Sequence, residues 1–73
     1  MIVIDARGLE PPRPFELVME ALCELKAGDS VRLILEREPF PLFRVLDRNG
    51  YRYKVNRSED GTTFEIDITP GPE

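Results

Sequence analysis

The chain has 73 residues, 33% of them charged, with a net charge of −4, one cysteine and no histidine. That length leaves room for one domain, and the composition excludes an internal disulfide and a structural zinc held by about four thiolate or imidazole ligands. The negative balance favours solubility and argues against a partner bound through its phosphate backbone, so no nucleic acid is expected.

Residues 1–5, Met-Ile-Val-Ile-Asp, read as a short β-branched strand. Because Met1 already belongs to that pattern, no leader peptide is expected, and no apolar run approaches the ~20 residues that span a bilayer. A cytoplasmic protein with no membrane contact is the resulting expectation. Asp5 to Pro14 follows, and three prolines (Pro11, Pro12 and Pro14) crowd the point where a helix should begin. Proline suits a first helical turn, since the N–H it lacks would have no intrahelical partner there. The helix is expected over 14–26. Phe15, Val18, Leu22 and Leu25 form its apolar stripe, with Met19 and Ala21 beside it. Ala27-Gly28-Asp29 should end it, with Gly28 as a left-handed cap.

Residues 30–36 read as a second strand. Arg37-Glu38-Pro39-Phe40-Pro41 is a stiff connection into a second helix over roughly 41–48. Leu42, Val45 and Leu46 supply the apolar face of that helix, with Phe43 nearby, and Asn49-Gly50 closes it. Residues 51–57 and 62–68 alternate as a hairpin around Ser58-Glu59-Asp60-Gly61. A loop of those four residues pairs Arg52 with Asp67 and Lys54 with Glu65 on one face. On the other face it pairs Tyr53 with Ile66 and Val55 with Phe64. The domain is expected over 1–69, with 70–73 as a tail.

The order is β-α-β-α-β-β. Each right-handed crossover puts its helix on the same side of the sheet. The fold class is therefore α+β, a two-layer sandwich of a four-stranded mixed sheet with two helices on one face. The Asp5–Pro14 stretch resembles the motif of TusA/SirA-like sulfur carriers, Asp-x-x-Gly-x-x-Cys-Pro-x-Pro. Asp5, Gly8, Pro12 and Pro14 fit it, and Pro11 stands at the cysteine position. The resemblance covers nearly the whole chain. It implies a sheet order of 1-2-4-3 with the last strand antiparallel to the others. Glu38-Pro39-Phe40-Pro41-Leu42 looks like a motif of a cysteine-less TusA-related branch, in which a histidine commonly precedes Glu-Pro. Arg37 takes that place here. Proline cannot hold a persulfide, so the resemblance implies a member without the carrier chemistry.

Parallel first and second strands would bring their carboxyl ends to one edge, where both proline-marked helix starts converge and where open α/β sheets favour ligands. The candidate ligand- or partner-binding residues are Arg7, Gly8, Glu10, Pro11, Pro12, Arg13, Pro14, Arg37 and Glu38, above a floor of Pro11, Pro12, Pro39 and Phe40. The prolines supply no amide donors, so anion binding at this edge would rest on Arg7, Arg13 and Arg37. Each charge taken alone has the plainer reading of a solvated ion pair. The edge as a whole reads as a surface for a protein partner or small ligand. No catalytic residue, metal ligand or cofactor is assigned. Cys23, beside the acidic stripe Glu16, Glu20 and Glu24, is expected to pack at the core boundary. The rival readings are sulfur transfer through Cys23 and a nucleic-acid-binding layer. Alternation also leaves Met1, Val3 and Ile34 on the open sheet face, which suggests a weak homodimer through that patch or through the first strand's edge.

Overall fold

The computed structural model describes residues 1–70, so 71–73 of the expected tail lie outside the described residues. Its elements are β1 (Ile2–Asp5), α1 (Arg13–Glu24), β2 (Val31–Leu35), α2 (Phe40–Arg48), β3 (Arg52–Arg57) and β4 (Phe64–Thr69). The sheet order is β1-β2-β4-β3. β1 lies parallel to β2, and β4 runs antiparallel to both β2 and β3. The class, element order and sheet order are those expected.

The core lies between sheet and helices. Along β2, Val31, Leu33 and Leu35 are buried while Arg32 and Ile34 are half-buried, the period-two signature of a strand covered on one face. Those residues, with Ile66 and Ile68 of β4, meet Val18, Ala21 and Leu22 of α1 and Leu42 and Leu46 of α2. Burying each of the largest of these, Leu33, Leu46, Ile66 and Ile68, contributes roughly 1.5–3 kcal/mol. No polar or charged residue is buried among the described residues, so the core itself holds no polar side chain that would need a partner.

Helix α1 starts at Arg13, one residue earlier than expected, with Pro14 in its first turn and Glu16 N–H donating to Pro12 C=O at 3.0 Å. It stops at Glu24, two residues early. Leu25 is already extended (ψ 131°) and half-buried, so the chain leaves the helix to set that side chain on the core. Gly28 is therefore not a helix cap. It sits in a separate turn closed by Asp29 N–H to Lys26 C=O at 3.0 Å. Helix α2 does end on its glycine. Gly50, at φ +77°, donates to Asp47 C=O, and Tyr51 N–H reaches Leu46 C=O at 3.0 Å. These paired bonds satisfy the last carbonyls of the helix in a Schellman motif.

The hairpin differs in register. Lys54 lies opposite Asp67, Arg52 opposite Thr69, Tyr53 opposite Ile68 and Val55 opposite Ile66. This is two residues from the expected pairing. The turn is responsible: Asp60 Oδ1 accepts from Ser58 Oγ, Thr62 N and Thr62 Oγ1, and Ser58 N–H donates to Thr63 C=O. The loop is thus 59–62 rather than 58–61. The observed register sets Tyr53 flat against Phe43, with ring centroids 4.8 Å apart, an arrangement worth about 0.5–1.5 kcal/mol beyond area burial. Asp67 pairs instead with Arg32 of β2, at 2.7 Å from Nε to Oδ1, and Glu65 stands 3.8 Å from the same nitrogen.

Candidate functional site

The loop after β1 and the loop after β2 leave the sheet at the same edge because the two strands are parallel. Ala6 N–H extends the pairing by donating to Ile34 C=O at 2.8 Å. Two residues later Gly8, at φ +82°, turns the chain, and its N–H donates to Glu36 Oε1 at 2.7 Å. Only glycine adopts that backbone region without a Cβ penalty. One hydrogen bond therefore ties the two loops together across the mouth of a cavity.

That cavity has a volume of about 520 Å³. Its floor is the buried side chains of Ala6, Leu33, Leu35 and Leu42. Leu9, Pro11, Pro12, Pro14 and Phe15 line one wall, and Pro39 and Pro41 the other. Glu10, Glu36, Arg37 and Glu38 complete the lining as charged groups. Leu9 is 41% exposed and Phe15 36% exposed, so apolar surface remains open at the mouth.

Seven of the nine residues singled out in the sequence line this cavity: Gly8, Glu10, Pro11, Pro12, Pro14, Arg37 and Glu38. Arg7 and Arg13 do not. Arg7 turns back onto Asp5 in a two-pronged pair, with Nε to Oδ1 at 2.9 Å and Nη2 to Oδ2 at 2.7 Å. The Arg7 side-chain hydrogen bonds, followed by its N–H, hold the Asp5 carboxyl down at about 2. Phe40, expected in the floor, is 61% exposed and packs edge-on against Phe43 outside the cavity.

Counting Pro39 of the expected floor, half of the sixteen lining residues lie outside the set singled out in the sequence, and three of them show why. Phe15 fits the apolar stripe of α1, the pattern of a core residue, but in the helix's first turn it is exposed and lines the cavity. Leu9 stands in a loop with no periodic neighbour. Glu36 follows strand alternation onto the open face only if the strand runs through it. Because β2 ends at Leu35, the side chain is free to turn to Gly8.

The chemistry of this lining is narrow. It contains no thiol, hydroxyl, amine or imidazole. Arg7, Leu9 and Arg13 amides are taken by Asp5, Ala6 and Glu10, and Pro11, Pro12 and Pro14 have none, so the loop ahead of α1 has few amides to offer an anion. Glu10, Glu36 and Glu38 against Arg37 leave the lining with an excess of negative charge. Cys23 is exposed rather than packed at the core boundary. It lies ten residues into α1 from Arg13, about 15 Å along the helix axis from that start. On the outward side of the helix, the core has no use for it.

A family model described as Uncharacterized conserved protein (DUF2249) matches residues 3–70. Among solved structures, the SirA-like protein of Desulfitobacterium hafniense superposes with a TM-score of 0.84 and 29% sequence identity, covering 99% of this chain and 100% of that one. No curated protein matches the chain. The matched span runs through both loops of the cavity, the core beneath it and the hairpin, and the solved relative repeats the architecture from end to end. The chain therefore belongs to the DUF2249 family of uncharacterized conserved proteins and is a small domain of the SirA/TusA-like kind.

Proposed function

We propose that this chain is a non-catalytic binding module. It takes a protein partner or small ligand at the proline-rich edge of the sheet, works in the cytoplasm without cofactor, nucleic acid or membrane, and carries no sulfur at Pro11. The observation that carries this reading is the cavity of about 520 Å³, apolar in floor and walls, whose lining offers no thiol, hydroxyl, amine or imidazole. Its size suits a small ligand or a side chain of a partner. Arg7 and Arg13 sit outside the lining and flank the edge. A weak homodimer, through the Met1–Val3–Ile34 side of the sheet or the edge of β1, belongs to the same reading.

One observation favours a second reading, sulfur transfer in a relay: Cys23 is exposed. Intact-mass measurement after mixing with a persulfide-loaded cysteine desulfurase separates the two. The expected result is no addition to the protein. A stoichiometric gain of ~32 Da that disappears in Cys23→Ser would establish the relay reading instead, since one added sulfur on a thiol is a persulfide.

A further inference from the structure

The cavity's charge and the spread of the apolar surface around it together define an occupant. Three carboxylates and one guanidinium belong to its lining. Asp5 neutralises Arg7, leaving Arg13 as the remaining cation at the start of α1. Beyond it Glu16, Glu20 and Glu24 are all exposed along the outward side of the helix, which has no basic residue in its last turn. These three span about 12 Å of helix axis, more than a ligand confined to the cavity would reach. The apolar surface likewise continues past the cavity. Phe40 is 61% exposed just outside it, beside the lining residues Pro39 and Pro41. The floor is apolar while the surroundings are acidic.

We infer that the edge docks a basic segment of a partner protein, with one large apolar side chain seated in the cavity and lysine or arginine on either side of it. The inference rests on the cavity being a binding site and names its occupant. The apolar anchor gains from burial against Leu33, Leu35 and Leu42. The flanking cations meet Glu10 and Glu38 at the rim and the field of the α1 carboxylates beyond. Such rim charges set on-rate and partner choice more than affinity. Anionic partners are selected against by the same groups.

The test uses the full chain, isotope-labelled, titrated with defined probes and followed by amide NMR. The probes are a short glycine-based peptide carrying one phenylalanine flanked by lysines, the same peptide with glutamates for lysines, the lysine peptide with serine for phenylalanine, and phenethylammonium, benzyl alcohol and phenylacetate. The lysine–phenylalanine peptide should shift Leu9, Phe15 and Leu42 saturably and bind at least about ten-fold tighter than its serine counterpart. Its affinity should fall roughly two- to five-fold for each of Glu10→Gln and Glu38→Gln, fall with added salt, and rise in Arg37→Gln. All three positions are exposed, so the variants keep the fold. Equal binding of the glutamate peptide, or phenethylammonium binding as tightly as the lysine peptide, overturns the inference. Benzyl alcohol shifting the cavity while charge makes no difference overturns it and leaves the binding-module reading standing. No probe reaching the cavity overturns both.

Discussion

Gly8 and Glu36 show how much of the site hangs on two side-chain choices. Glycine at φ +82° turns the loop after β1, and the Glu36 carboxylate accepts its N–H. An added Cβ at Gly8 would meet no atom within 4 Å, so a substitution there is opposed by backbone conformation and not by crowding. Gly8→Ala should therefore destabilise the protein by about 1–2 kcal/mol, and Gly8→Asn by less, because asparagine tolerates the left-handed region better. Urea unfolding of the three proteins checks this. Equal stability of Gly8→Ala and wild type would mean the loop does not hold that geometry in solution.

The hairpin of β3 and β4 has its register set by its turn, and Asp60 is the residue that shapes it. The Ser58 hydroxyl first, then the Thr62 N–H and hydroxyl, hold its carboxyl down at about 2 against an ordinary 3.8. A carboxylate whose folded value lies below its unfolded one stabilises the protein above the unfolded value, and that contribution is lost as pH falls toward 2. Asp60→Asn keeps an acceptor oxygen but cannot titrate. The variant should be less stable than wild type at pH 7, and the gap should narrow as pH drops from 5 to 2. Denaturant unfolding across that range reads it directly. A gap independent of pH would show that the turn does not depend on the ionised carboxylate.

Over the whole molecule, charge is sorted by position. Five of the ten basic residues (Arg44, Arg48, Arg52, Lys54 and Arg57) belong to α2 and β3, and the glutamate stripe belongs to α1. β3 is one edge of the sheet, and its exposed cations guard it against pairing with another chain. β1, the other edge, reads Ile-Val-Ile-Asp and has no such guard. Val3 is 56% and Met1 64% exposed beside it. Weak self-association should use that side. Sedimentation equilibrium should show a concentration-dependent dimer for wild type and a monomer for Val3→Lys, a change made at an exposed position. A wild type that stays monomeric at the highest concentration reached ends this idea.

The elements, the shared edge and most of the cavity's polar and proline lining were legible in the residues of this chain. Period-two and helical patterns fix which face is buried, and proline and glycine mark where elements must stop. The strand order came from the resemblance to TusA/SirA-like domains and not from pattern. Tertiary structure alone decided three matters. A two-residue slip leaves every side chain on its own face, so alternation cannot choose between Lys54–Glu65 and Lys54–Asp67. The Asp60 turn, which pairs Ser58 with Thr63, chose it, and the Tyr53–Phe43 stack goes with that choice. Phe15 carries the spacing of a core residue, but whether a stripe residue in a first turn is covered or left open to a cavity depends on the loops packed around the helix start. Cys23 sits at the same kind of boundary and falls on the solvent side, because a helical angle near the edge of the buried arc does not say how far the neighbouring layer extends.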